Sequence, residues 1–211
     1  MFVVYSPEGQ AYLGLQSTLP ALKAQPIPPV AGTQKTENDP NQVAMDRRYH
    51  QVPLSIEQAR KAYQQVREAA QARGEPLIEV REIMSTSVIT LPMTATLEQA
   101  WRLFEDRGVG TLPVMDGARV VGLLSVTDLM GHVWRENERM RVRTWPVTQV
   151  MSSPVITCWP ETLIRRAARV MSDYLIHTLP VVSQGGQLEG MVTVSDIVAR
   201  LATEPHLELY V

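Results

Sequence analysis

Setting Met84 against Met151 lays the chain over itself. At an offset of 67, Met84-Ser85 matches Met151-Ser152, and Val88-Ile89-Thr90 matches Val155-Ile156-Thr157. Ala100 then meets Ala167, Asp106 meets Asp173, and Thr111-Leu112-Pro113-Val114 meets Thr178-Leu179-Pro180-Val181. One extra residue in the turn at Gln184-Gly185-Gly186 moves the offset to 68, and Gly122, Val126 and Asp128 meet Gly190, Val194 and Asp196. An internal repeat constrains the fold more than any local propensity. Both copies must adopt one structure, and a unit this small buries too little alone, so the two must share a core.

The pattern within each copy is the same. A short strand (Val88 to Thr90; Val155 to Thr157) leads to a helix with Thr96 or Thr162 as N-cap. Leu97, Ala100, Trp101 and Phe104 form the apolar stripe of the first helix, and Ile164, Ala167, Ala168 and Met171 that of the second. Strands at Leu112 to Met115 and Arg119 to Leu124, and at Leu179 to Val182 and Leu188 to Val192, flank the turns Asp116-Gly117 and Gly185-Gly186. A closing helix starts near Ser125 or Thr193. The expected fold is α+β: two β-α-β-β-α repeats packed as a pseudo-two-fold pair, with a largely irregular N-terminal extension carrying one helix.

Residues 1–54 are crowded with Pro, Gln, Asn and Thr and read as a flexible, irregular segment, with a short hairpin in Met1 to Leu15 around Pro7-Glu8-Gly9. Residues 55–79 read as an amphipathic helix and connection. Ser55 and Gln58 have capping-box spacing, and Ile56, Ala59, Tyr63, Val66 and Ala70 share one face. The first repeat is assigned to 80–140, the second to 147–203, and a tail to 204–211.

Composition excludes several classes. Twenty basic residues against 22 acidic ones give a net charge of −2, which does not support a nucleic-acid partner. Cys158 is the single cysteine, so no intrachain disulfide forms; with no catalytic partner spaced beside it, it reads as a buried small hydrophobe. His50, His132, His177 and His206 lack metal-ligand spacing. No phosphate-binding glycine loop or nucleophile elbow appears. No apolar run approaches the roughly 20 residues of a membrane span, and Met1-Phe2-Val3-Val4-Tyr5-Ser6-Pro7 lacks the features of a signal peptide. A soluble cytoplasmic protein is expected, with no obligatory cofactor and no metal.

The two segments Gly122-Leu123-Leu124-Ser125-Val126-Thr127-Asp128 and Gly190-Met191-Val192-Thr193-Val194-Ser195-Asp196, each preceded by Thr-Leu-Pro-Val, carry a family likeness. Residues 80–203 resemble a tandem pair of CBS (cystathionine β-synthase-type) domains. The resemblance implies a regulatory module with two clefts that take adenosine compounds such as AMP, ADP, ATP or S-adenosylmethionine. It also implies a homodimer. One implied site uses Thr193, Ser195 and Asp196, with His177 aimed at phosphate and adenine against Val88, Ile89 and Val109. The other uses Ser125, Thr127 and Asp128, with adenine against Val155, Ile156 and Ile176. Gly110 stands where His177 does, so the sites are unequal.

The residues have a physical logic apart from the family. Helix N-terminal amides and a cap hydroxyl favour phosphate, whereas Asp128 or Asp196 suits a ribose diol. Each Ser/Thr-x-x-Asp is equally a capping box without ligand. The expectation is a non-enzymatic sensor that binds an adenosine nucleotide and signals to an unknown regulated protein by altered packing. The alternative is a ligand-free dimerisation scaffold.

Overall fold

The computed structural model describes residues 1–7, 9–14, 55–72, 77–136 and 139–203. Most of the expected linker and the tail 204–211 lie outside them. The chain opens with an antiparallel hairpin, β1 (Phe2–Ser6) and β2 (Gly9–Gly14). Helix α1 (Ile56–Ala72) starts at the expected capping box: Gln58 N donates to Ser55 Oγ at 3.2 Å, and Ser55 N to Gln58 Oε1 at 3.0 Å. Of its apolar face only the Tyr63 side chain is described, and it is buried.

The first repeat runs β3 (Leu91–Pro92), α2 (Leu97–Arg107), β4 (Thr111–Asp116), β5 (Arg119–Ser125) and α3 (Val126–Met130). A hairpin, β6 (Val133–Glu136) and β7 (Arg139–Val142), follows in the connection between the repeats. The second repeat runs β8 (Val155–Cys158), α4 (Ile164–Tyr174), β9 (Thr178–Val182), β10 (Leu188–Thr193) and α5 (Val194–Ala202). In each repeat the first strand is parallel to the second, which is antiparallel to the third.

Three expectations are corrected. Val88 to Thr90 is not a strand; the first-repeat strand is the two-residue β3 that follows it. Thr162 does not cap α4, whose N-cap is Leu163 without a side-chain bond. The Thr162 hydroxyl is taken elsewhere, accepting from the Met1 amino group at 2.9 Å and donating to the Met1 carbonyl at 3.1 Å. Nor is the hairpin an appendage. β1 pairs antiparallel with β8, Phe2 opposite Cys158 through Tyr5 opposite Val155, and extends the second sheet to the order β10-β9-β8-β1-β2.

β1 alternates as a strand buried on both faces must. Phe2 and Val4 enter the second repeat's core with Ile156, Ile164, Leu179 and Val192. Met1, Val3 and Tyr5 enter a separate cluster between the repeats with Val120, Val155, Trp159 and Val182. The first repeat keeps its own core around Leu97, Phe104, Leu112 and Leu124.

Helix α1 docks on the second repeat. Leu163 N donates to the Tyr63 hydroxyl at 3.0 Å, and that hydroxyl donates to the Glu161 carbonyl, so α1 supplies a partner at the α4 N-cap that Thr162 does not. Burial pushes the Tyr63 phenol up to about 12. Glu79, also buried, pairs with Arg67 of α1 at 2.6 Å and receives Arg81 Nε at 2.6 Å.

The repeats meet through exchanged main-chain pairs. Ser85 N donates to the Met191 carbonyl and Met191 N to the Ser85 carbonyl, both at 2.9 Å. Leu123 and Ser152 do the same at 3.0 and 2.7 Å. The methionines of the two Met-Ser pairs lie over the motif glycines of the opposite repeat, Met84 on Gly190 and Met151 on Gly122. A Cβ at Gly190 would overlap the Ser85 carbonyl as well as Met84, and one at Gly122 the Met151 side chain alone.

Candidate functional site

The exchange leaves a cleft of about 530 Å³ between the repeats. Ser85, Ser87, Val88, Ile89 and Val109 line it from the first repeat. His177, Thr178, Met191, Thr193 and Ser195 line it from the second. Six expected residues therefore share one cleft: Val88, Ile89, Val109, His177, Thr193 and Ser195. Local folding puts them there. Thr193 ends β10 in extended conformation (φ −117°, ψ 165°) and caps α5, whose N-terminus opens on the cleft. Val194 N donates to the His177 carbonyl at 3.0 Å and ties the helix start to the strand before it. His177 is exposed at the rim.

Asp196 does not border the cleft with them. Its Oδ2 receives Thr193 N at 2.8 Å and Thr193 Oγ1 at 2.7 Å, while Asp196 N donates back to Thr193 Oγ1 at 3.2 Å. Asp128 and Ser125 repeat that capping box on α3, with 2.9, 2.6 and 3.1 Å for the same bonds. The capping reading of both Asp residues is thus realised, and one oxygen of each carboxylate, Oδ1, remains for another partner.

The second expected site is not assembled in the same way. Ser125 and Asp128 are half-buried and Thr127 exposed, as their counterparts are. Its apolar wall differs: Val155 and Ile156 are 3% and 2% exposed and covered by β1, whereas Val88 and Ile89 are half open. Ile176 packs against the second core. Sequence reasoning missed Ser85, Ser87, Gly110 and Thr178 in the open cleft. The signal for the first was the repeated Met-Ser pair, whose serine lies beside the crossing point.

Cys158 is fully buried, and desolvation pushes its thiol up to about 12, which removes it as a nucleophile at neutral pH. Among the described residues no group of acidic, His and Cys side chains could hold a metal ion. No helix there is long and apolar enough to cross a membrane.

Two matches to the CBS domain, at residues 80–135 and 147–203, coincide with the repeats and cover more than half of the chain. The chain belongs to the CBS domain family. Over 113 residues it is 34% identical to inosine-5′-monophosphate dehydrogenase of Korarchaeum cryptofilum, covering 54% of this chain and 22% of that protein. Against two further relatives, uncharacterized proteins of Thermofilum pendens and Methanocaldococcus jannaschii, it covers 49% and 32% of their lengths. The chain thus spans half or less of these curated relatives. Among solved structures, the CBS domain pair of protein MJ0100, in complex with 5′-methylthioadenosine and S-adenosyl-L-methionine, aligns with a TM-score of 0.53 at 24% identity. That alignment covers 60% of this chain and 98% of that one. CBSX2 in complex with AMP aligns with a TM-score of 0.51 at 23% identity, covering 59% and 96%. Both share the fold of this CBS pair.

Proposed function

We propose that this CBS pair is a non-enzymatic regulatory module that binds an adenosine-containing nucleotide (AMP, ADP, ATP or S-adenosylmethionine) in the cleft between Val88-Ile89 and Thr193-Ser195. The observation that carries the reading is the cleft's two-sided chemistry. Val88, Ile89 and Val109 offer an apolar wall for a base, and the facing helix N-terminus offers amides and hydroxyls to phosphate. His177 at the rim adds a donor, and Asp196 Oδ1 is the acceptor left for a ribose diol. Two CBS pairs of the same fold, MJ0100 and CBSX2, hold adenosine ligands.

Because the cleft walls come from different repeats, a nucleotide held by both favours one packing over another. That difference in affinity is what a partner protein reads. Assembly into a homodimer is part of the same reading: Val198 and Leu201 on α5 are 56% and 40% exposed and leave apolar helix surface to cover.

Thermal melting against AMP, ADP, ATP and S-adenosylmethionine tests it. A ligand at about 100 times its Kd adds about 2.7 kcal/mol, a shift of several degrees. Ser195→Glu, which sets a carboxylate in the cleft, abolishes the shift, and Thr127→Glu in the other half leaves it. A flat panel overturns the reading in favour of a ligand-free dimerisation scaffold.

A further inference from the structure

The pseudo-two-fold relation marks a second recognition site beside the nucleotide cleft, with which it shares Val88. β1 covers a defined surface, made by Val155 and Thr157 of β8, Val182 of β9, Val120 of β5 and the turn at Gly186. A Cβ on Gly186 would fall 2.7 Å from the Tyr5 hydroxyl, so Tyr5 lies directly over that turn. The offsets of the repeat place Val88, Thr90, Met115, Leu188 and Ala118 at the matching positions. These five residues line an open groove of about 380 Å³.

Among the described residues the groove holds no strand, in contrast with its filled counterpart. Thr157 is fully buried and its hydroxyl donates to the Val3 carbonyl at 3.0 Å; Thr90, its equivalent, is exposed. Val155–Cys158 is paired with β1 along its length. Among the described residues no strand pairs with Val88 to Thr90, where Val88 N reaches only the Thr86 carbonyl at 3.1 Å. An edge of this kind is a template for strand addition.

We propose that this groove binds an extended segment of a partner protein, added antiparallel along residues 88–91 as an extra strand. β1 itself shows the chemistry of the occupant. Its Met1, Val3 and Tyr5 side chains meet Val120, Val155 and Val182, so the segment carries apolar residues at alternate positions against Leu188, Val88 and Met115. Glu189, exposed, lines the groove wall, so the segment also carries a basic side chain facing it.

The test uses the full chain and a fluorescein-labelled peptide of residues 1–7 with a lysine tail, followed by fluorescence anisotropy. Saturable binding of one peptide per chain is expected, weakened about tenfold, or about 1.4 kcal/mol, by Thr90→Pro and by Ala118→Glu. Ala118 sits in an exposed turn, so its variant carries the test even where proline at 90 weakens the fold. Absence of binding up to about 1 mM peptide overturns the proposal. So does equal binding by the parent and both variants, which shows the peptide exchanging with β1. A dimer in sedimentation that Ala118→Glu dissociates also overturns it, because a second copy then fills the groove.

Discussion

Val88-Ile89-Thr90 and Val155-Ile156-Thr157 are the same three residues in two copies of one motif, and only the second is a strand. The difference lies in what runs beside them. β1 gives Val155–Cys158 a second hydrogen-bonded neighbour, whereas Val88 to Thr90 has none among the described residues. Strand structure at such a position belongs to the ladder and not to the residues in it. The same contrast separates the two expected nucleotide sites: the edge without a neighbour among the described residues borders an open cleft, and the edge with one has Val155 and Ile156 covered by β1.

The largest effect should come from emptying the filled side. Phe2 is fully buried in the second repeat's core, so Phe2→Ala is expected to cost about 3–5 kcal/mol in urea unfolding. A loss below about 1 kcal/mol would make β1 peripheral and break the comparison.

The two motif glycines come next. Gly190→Ala should destabilise by about 1–3 kcal/mol, and by more than Gly122→Ala. At Gly122 the new methyl meets only the flexible end of Met151. At Gly190 it also falls 2.9 Å from the Ser85 carbonyl, which is fixed by its bond from Met191 N. Equal losses in thermal melts would mean that the methionines, and not the main chain, set the tolerance.

The smallest effect concerns the matched threonines. Thr157→Val loses the buried bond to the Val3 carbonyl, worth about 1 kcal/mol, while Thr90→Val should stay within about 0.5 kcal/mol. Similar values at both positions would show that the hydroxyl bond to β1 contributes nothing.

Much of this was legible in the chain. The repeat gave the order of elements in both halves, and the Ser/Thr-x-x-Asp spacing gave the caps of α3 and α5, because a capping box is closed by residues three apart. Ser55 and Gln58 were found for the same reason. Thr162 shows the limit: as a potential cap it looked like Thr96, but Met1, 161 residues away, engages its hydroxyl. The hairpin read around Pro7-Glu8-Gly9 carried no sign of which edge the run Phe2-Val3-Val4-Tyr5 would join.

The sequence by itself therefore determined two copies of a β-α-β-β-α unit, the glycines and hydroxyl caps at the start of each closing helix, and membership of a paired fold. The copies rest on the repeat at an offset of 67 to 68 residues, the caps on residues three apart, and the pairing on the family likeness. Only the tertiary structure decided that the halves are unequal: β1 occupies one of two pseudo-equivalent edges, closing Val155 and Ile156 and leaving Val88 and Ile89 open. That choice is made by packing between residues far apart in sequence, where Met1, Val3 and Tyr5 find Val120, Val155 and Val182.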